Sequence, residues 1–162
     1  MDAGPYDDPR LTAVGLFVEV YAGLTSRLDV AHAAKGLSGN DFDVLIRLAR
    51  SPGRRLRMTD LSSQTMLSTS GVTRVVDRLE RLGCVCRRPD PGDRRSLLAE
   101  LTDAGGELLD AHIPELVKVV DDAYTSVLSP KQLDNLIDAL RTLRAALHPH
   151  ADADTRQDAT QT

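Results

Sequence analysis

The chain has 162 residues, of which 41% are hydrophobic and only 3% aromatic, and its formal net charge is −4. This length predicts a single domain, and the composition predicts a core of aliphatic side chains. No uninterrupted run of about 18 apolar residues occurs, which predicts that no segment crosses a membrane. The acidic start, MDAGPYDDPR, lacks the apolar centre of a signal peptide, so we expect a cytoplasmic protein.

The charge is unevenly distributed along the chain. Residues 1–46 carry a net charge of −4 and residues 96–162 one of −7, whereas residues 47–95 hold 12 arginines against 5 acids, a net +7. A basic segment within an acidic chain is typical of a surface that binds phosphate groups. The acidic remainder would keep nucleic acid away from the other surfaces.

Residues 1–9 are polar and are expected to be flexible. From residue 10 to residue 35 apolar side chains recur at helical spacing, which predicts a long helix that Gly36 ends. A second helix is predicted to start at Ser38 or Asn40, and a short strand should follow at residues 56–58.

A helix-turn-helix is predicted over the next segment. Thr59 is expected to cap its first helix, with Leu61 and Met66 facing the core. Ser68 is a good N-cap and Gly83 a good C′ residue for its second helix. Between these two positions one apolar stripe is spaced for burial: Val72, Val75, Val76, Leu79 and Leu82.

The other face of this second helix has side chains that could read DNA. Small hydroxyl residues near its start would let its N-terminal end approach base edges, and Arg74 could reach guanine one turn later. The predicted major-groove set is Ser68, Thr69, Ser70, Thr73 and Arg74. The alternative is an amphipathic helix with a solvated charged face.

A β-hairpin is predicted after the helix-turn-helix. Two short runs, 84–88 and 96–101, flank the turn-forming sequence PDPGDRR. Such a tip could enter the minor groove, whose negative potential attracts arginine. We predict that Arg94 and Arg95 lie there, and that Asp93 holds an arginine in position. The alternative is a solvated surface turn.

Two further helices are predicted over residues 103–148. Thr102 should cap the first, and Ser129-Pro130-Lys131-Gln132 forms a capping box with proline at N1 before the second. The tail, residues 149–162, is polar and is expected to be disordered.

The long helices at the two ends of the chain predict a symmetric homodimer, because the small central module cannot bury both apolar stripes. The predicted interface residues are Leu11, Val14, Val18, Leu133, Leu136, Ile137, Leu140 and Leu143. A dimer would suit a pseudo-palindromic operator with half-sites roughly 34 Å apart. Packing within a monomer is the alternative.

Residues 10–147 resemble the MarR (multiple antibiotic resistance regulator) family of bacterial transcription factors. The most specific matches are SGVTRVVDRLERLG at residues 70–83, the D-x-R motif of Asp93 and Arg95, and LTDAG at residues 101–105. The resemblance implies a mainly α fold with a small β-hairpin wing, a winged helix-turn-helix over residues 36–102, and dimerisation helices at 10–35 and 103–148. It also implies an obligate homodimer and a repressor whose DNA affinity falls when a small ligand, frequently an aromatic acid, binds.

Carried over to this sequence, the resemblance assigns further residues. Arg54, Arg55 and Arg78 would contact DNA phosphates. A ligand pocket would involve Leu28, His32 and Phe42, although any of these could be plain core.

Other functions find less support in the sequence. Cys84 and Cys86 allow a thiol-based redox sensor, although an i, i+2 pair on a strand is too far apart for an easy disulfide. The terminal helices alone allow an interaction module that binds no DNA, which would leave the basic segment unexplained. An activator role stays open. No metal site, cofactor or enzyme active site is predicted from the spacing of the histidines and carboxylates.

Overall fold

The computed structural model describes residues 5–148, apart from the side chains of Pro5 and Arg94. The predictions for residues 1–4 and for the tail at 149–162 lie outside the described residues. The α-helices are α1 (Pro9–Ala34), α2 (Gly39–Arg50), α3 (Met58–Thr65), α4 (Thr69–Arg81), α5 (Asp103–Val120) and α6 (Pro130–Leu147). The strands are β1 (Arg55–Arg57), β2 (Val85–Asp90) and β3 (Asp93–Leu101).

The ends of α1 and the start of α2 follow from local signals. The side chain of Asp8 accepts a hydrogen bond from the Arg10 amide at 2.9 Å, and Pro9 occupies the first turn of α1. Gly36 has a φ of +70° after the end of α1, a conformation that favours glycine. Ser38, rather than Asn40, is the N-cap of α2 and forms a capping box with Asp41.

The helix-turn-helix differs from its prediction at two residues. Thr59 is not a cap, because α3 begins one residue earlier and has Arg57 as its N-cap, without a capping side-chain bond. Met66 does not face the core: it ends α3 in the left-handed conformation, with φ of +57°, and is 76% exposed. Ser68 caps α4 as predicted, accepting a hydrogen bond from the Gly71 amide at 3.1 Å.

The three strands form one antiparallel sheet in the order β1-β3-β2. The β2–β3 hairpin is longer than predicted and leaves only Pro91 and Gly92 between its strands. We call residues 85–101 the wing. Its register shifts between Pro89 and Asp90, where the hairpin becomes irregular.

The core lies between α2, α3, α4 and the sheet. Leu45, Leu48 and Leu61 are fully buried there, together with three residues of the predicted α4 stripe. These are Val72, Val76 and Leu79. Leu82, at the end of the predicted stripe, is 50% exposed because α4 ends at Arg81.

The terminal helices leave their apolar faces uncovered. Leu11, Val14 and Val18 on α1 are each more than half exposed, and α6 has no buried residue. By length and composition alone, α1 is apolar enough to cross a membrane, although it contains no uninterrupted apolar run of 18 residues. Glu19 interrupts the apolar run without making the helix polar overall. One such helix is weak evidence for a membrane span, since helices that pack against protein have the same composition.

Candidate nucleic-acid interface

The predicted reading face of α4 is exposed at every position. Ser68, Thr69, Ser70, Thr73 and Arg74 all lie at the surface around the first two turns. The Thr73 hydroxyl donates to the Thr69 carbonyl oxygen at 2.9 Å, and Arg74 Nε donates to the Ser70 carbonyl oxygen at 3.3 Å. Both bonds stay within one helical turn, so the side chains lie along the helix and face away from the core. This end of α4 is therefore free to approach a duplex.

Arg78 has a different position from the one predicted. Its Nη1 donates to Asp41 Oδ2 at 2.6 Å, and its Nη2 donates to the Gly36 carbonyl oxygen at 2.6 Å. The Asp41 side chain is only 1% exposed, and a buried carboxylate requires a charged or hydrogen-bonded partner. Arg78 therefore fastens α4 to the start of α2, and its terminal nitrogens are already occupied.

The two other predicted phosphate contacts, Arg54 and Arg55, differ in their bonding. Arg54 Nη2 donates to the Thr102 carbonyl oxygen at 2.8 Å, and Arg54 Nη1 lies 3.3 Å from Asp103 Oδ1. These bonds tie the loop before β1 to the start of α5. Arg55 is exposed and makes no ion pair within residues 5–148.

Several arginines of residues 47–95 are paired with carboxylates, so fewer of them are available to bind phosphate than the net charge of +7 indicates. Six of its arginines are engaged with carboxylates in the described structure: Arg47, Arg54, Arg57, Arg78, Arg87 and Arg88. Among the described side chains, five form no ion pair: Arg50, Arg55, Arg74, Arg81 and Arg95. Arg74 lies on the reading face, Arg55 on β1 and Arg95 on the wing, so free positive charge remains where DNA contact is predicted.

Asp93 stabilises the wing turn through two hydrogen bonds. Its Oδ1 accepts a hydrogen bond from the Arg95 backbone amide at 3.0 Å, and its Oδ2 accepts one from Ser96 Oγ at 2.7 Å. These bonds, the Ser96 bond foremost, lower the pKa of Asp93 below its ordinary value. Asp93 therefore holds an arginine in position through the backbone of Arg95. The predicted place of the Arg94 side chain lies outside the described residues.

The predicted pocket residues lie at the junction of α1, α2 and α5. His32 is 4% exposed, its ring lies 4.8 Å from the Phe42 ring, and Leu28 is half-buried on the same helix. His32 Nδ1 is hydrogen-bonded to His112 Nε2 at 2.9 Å, a partner that lies 80 residues away and was not predicted. His32 and His112 are buried at this junction, whereas Leu28 and Phe42 are half-buried.

Burial is the main cause that lowers the pKa of both histidines. His112 is fully buried, and its Nδ1 has no hydrogen-bond partner within the described structure. Glu115 Oε2 lies 3.9 Å from that Nδ1, and Glu115 also pairs with Lys35 at 2.9 Å. The hydrogen bond between His32 and His112 links α1 directly to α5.

The two cysteines are free thiols after α4: Cys84 directly precedes β2 and Cys86 lies on it. Cys84 is buried and Cys86 is half-buried. Burial raises the pKa of the Cys84 thiol above its ordinary value, which lowers its thiolate fraction and its reactivity.

Comparison with known proteins identifies the family. A model described as MarR family matches residues 35–96. The structure also superposes on a MarR family transcriptional regulator from Streptomyces coelicolor in complex with DNA, with a TM-score of 0.80 and 32% identity, covering 86% of this chain and 92% of that one. The chain belongs to the MarR family. As a MarR protein it is a DNA-binding transcriptional regulator, and its three-stranded sheet and α3–α4 pair are the winged helix-turn-helix.

Two curated relatives agree with this assignment. The HTH-type transcriptional regulator YkoM of Bacillus subtilis is 36% identical over 113 residues, 70% of each chain. The transcriptional repressor MprA of Escherichia coli K12 is 29% identical over 143 residues, which are 88% of this chain and 80% of MprA.

Proposed function

We propose that this MarR protein is a cytoplasmic homodimeric repressor of its own or neighbouring genes. The observation that carries the dimer is the uncovered apolar surface at both ends of the chain: Leu11, Val14 and Val18 on α1, and Ile137 and Leu143 on α6, are exposed. Burying these side chains against a second copy would remove them from water, at roughly 25 cal/mol per Å² of apolar surface. The name of its relative MprA supports the repressor role.

In this dimer two copies of α4 would enter successive major grooves of a pseudo-palindromic operator. Thr69, Ser70, Thr73 and Arg74 would meet base edges, with Ser68 at the phosphate-facing start of the helix. Arg55 would contact phosphate, and Arg94 and Arg95 the minor groove, with Asp93 shaping the turn. Arg54 and Arg78 would act by holding the winged helix-turn-helix together, since their guanidinium groups are already hydrogen-bonded to Thr102 and Asp41.

A small acidic effector would release the DNA by separating the residues at the α1–α2–α5 junction. Leu28, His32 and Phe42 would line its site, with His112 behind them. An effector there would act on DNA binding because α2, which carries Phe42, is joined through Asp41 to Arg78 of α4.

The test is binding of the purified full chain to its own upstream duplex and to a scrambled duplex, at two salt concentrations, with and without salicylate. A complex of two chains per duplex that prefers the upstream DNA and weakens with salt is the expected result. Release by salicylate would support an aromatic-acid effector. Equal, weak binding to both duplexes would contradict regulation of neighbouring genes.

A further inference from the structure

Asp90 is the one acid of the wing tip that points inward among the described side chains. It is 7% exposed, whereas Pro89, Pro91 and Gly92 around it are exposed. It lies where the β2–β3 register shifts, so the tip bends at this residue. Its Oδ1 accepts a hydrogen bond from the Gly92 amide at 2.8 Å, which closes the turn.

The other oxygen of this carboxylate joins the wing to the opposite side of the sheet. Arg57 Nε donates to Asp90 Oδ2 at 2.7 Å. Arg57 belongs to β1, and β1 and β2 lie on opposite sides of β3. Neighbouring strands are about 4.8 Å apart, so the pair spans about two strand spacings across β3.

Arg57 also stands at the entrance to the helix-turn-helix. It is the last residue of β1 and the N-cap of α3, whose first residue is Met58. The Arg57–Asp90 pair therefore links the wing turn to the chain segment that leads into α3 and α4. A cleft lined by Arg57, Asp60, Asp90 and Pro91 lies beside this pair.

We propose that Asp90 and Arg57 are positioning residues that brace the wing tip, so that α4 and the wing engage one duplex at the same time. The proposal rests on the proposed DNA contacts of α4 and the wing. Without the brace the tip would pivot on the β2–β3 ladder alone. The wing arginines would then lose more conformational entropy when they bind DNA. The brace lowers this cost because it orders the tip before binding.

The brace and simple electrostatics predict opposite changes in DNA affinity when the charge of Asp90 is removed. An acid close to DNA repels phosphate, so removing its charge should strengthen binding by charge alone. If Asp90 acts as a brace, Asp90→Asn must instead weaken binding, and Arg57→Gln must weaken it in the same way. Asp60 lines the same cleft without bonding to the wing, so Asp60→Asn removes the same charge as a matched control.

The experiment compares the wild type with Asp90→Asn, Arg57→Gln, the double variant and Asp60→Asn. The DNA is a duplex enriched by in vitro selection with the wild-type protein, and affinity and hydroxyl-radical footprints are measured. Asp90→Asn and Arg57→Gln should each lose about 10-fold in affinity, the order expected for losing one wing contact. Both should lose protection of the flanking minor groove while the central protection by α4 remains. The double variant should be no weaker than the weaker single variant, and Asp60→Asn should bind equally or more tightly.

Two results would overturn the brace: tighter binding by Asp90→Asn, or flanking protection that is unchanged in both single variants. Thermal unfolding of each variant separates misfolding from loss of positioning. Should Asp90→Asn fail to fold, the footprint of Arg57→Gln still decides, because the Arg57 side chain is 49% exposed and lies outside the core. Its affinity does not decide, since the loss of a positive charge weakens DNA binding by itself. Failure of the wild type to enrich any duplex would instead count against the proposed DNA-binding function.

Discussion

Single residues on α4 decide what the protein can read. Arg74 and Arg81 carry the same charge, and each donates its Nε to the carbonyl oxygen four residues earlier, at 3.3 Å in both cases. They differ in position, because Arg74 lies near the start of α4 and Arg81 is its last residue. We therefore predict that Arg74, and not Arg81, contacts a base edge.

Arg74→Ala should weaken operator binding by about 1–3 kcal/mol and relax preference at one base pair. Arg81→Ala is the matched control and should lower affinity only slightly, and equally for all sequences. Binding isotherms on the operator and on random duplex measure both effects. Equal losses by Arg74→Ala on the two duplexes would contradict its base-reading role.

Gly105 is required by packing at the start of α5. A Cβ atom at this position would lie 2.2 Å from the Cys84 carbonyl oxygen, which belongs to the backbone and cannot move aside cheaply. A Cβ at Gly106 would approach only the flexible end of Arg54, at 2.4 Å.

Gly105→Ala should therefore lower the free energy of unfolding by about 1–3 kcal/mol despite the better helix propensity of alanine. Gly106→Ala should have a smaller effect, because it displaces only the guanidinium end of Arg54 and the bond of that group to the Thr102 carbonyl oxygen, not the backbone. Urea denaturation of both variants measures the difference, and equal stabilities would show that α5 can shift without cost.

At the scale of elements, α1 and α5 are joined by the buried His32–His112 pair. Asp29 and Asp41 face His32, and Glu115 and Lys35 face His112. One added proton can occupy the unpartnered Nδ1 of His112, but two imidazolium rings would set N–H against N–H across the 2.9 Å contact. Protonation of both rings must therefore break the link.

The stability of the fold should fall as the pH is lowered through 6.5, the ordinary histidine pKa. Burial holds the folded-state pKa of both histidines below that value, so the unfolded chain binds more protons in this range. The stabilisation is fully present above the unfolded pKa and is lost below it. Denaturation between pH 8 and pH 5 should show a steeper loss for the wild type than for His112→Gln, and parallel curves would contradict the role of the pair.

At the scale of the whole molecule, the chain leaves more apolar surface on its terminal helices than one copy can cover. Val18 and Val30 are both on α1 and are 55% and 72% exposed, but only Val18 lies on the predicted dimer stripe. The two positions allow a matched test of the assembly.

Val18→Glu should convert a dimer of about 35 kDa, twice the 17.6 kDa chain, into a monomer, because it places a charge in an apolar interface. Val30→Glu should leave the dimer intact. Sedimentation equilibrium gives the masses, and the monomer should bind an operator far more weakly than the dimer because it loses the second half-site. A wild type that sediments as a monomer would overturn the proposed assembly.

The sequence by itself determined the order of helices and strands, the cap at Ser68, the left-handed Gly83 after α4 (φ of +73°) and the exposure of the predicted reading face. These features depend on neighbours within about four residues, which the printed sequence shows directly. Periodicity also predicted Val72, Val76 and Leu79 as core, but it could not show that Met66 turns outward, because that depends on where α3 ends.

Only the tertiary structure decided which charged and polar groups pair. Arg78 with Asp41, Arg57 with Asp90, and His32 with His112 are separated by 37, 33 and 80 residues. Each pairing depends on how distant elements pack. The sequence alone does not distinguish the arginines of residues 47–95, because all of them carry the same charge. Burial is the physical reason for these pairings. A carboxylate or imidazole that folding removes from water requires a partner within hydrogen-bond distance, and the packing of distant elements determines which group that is.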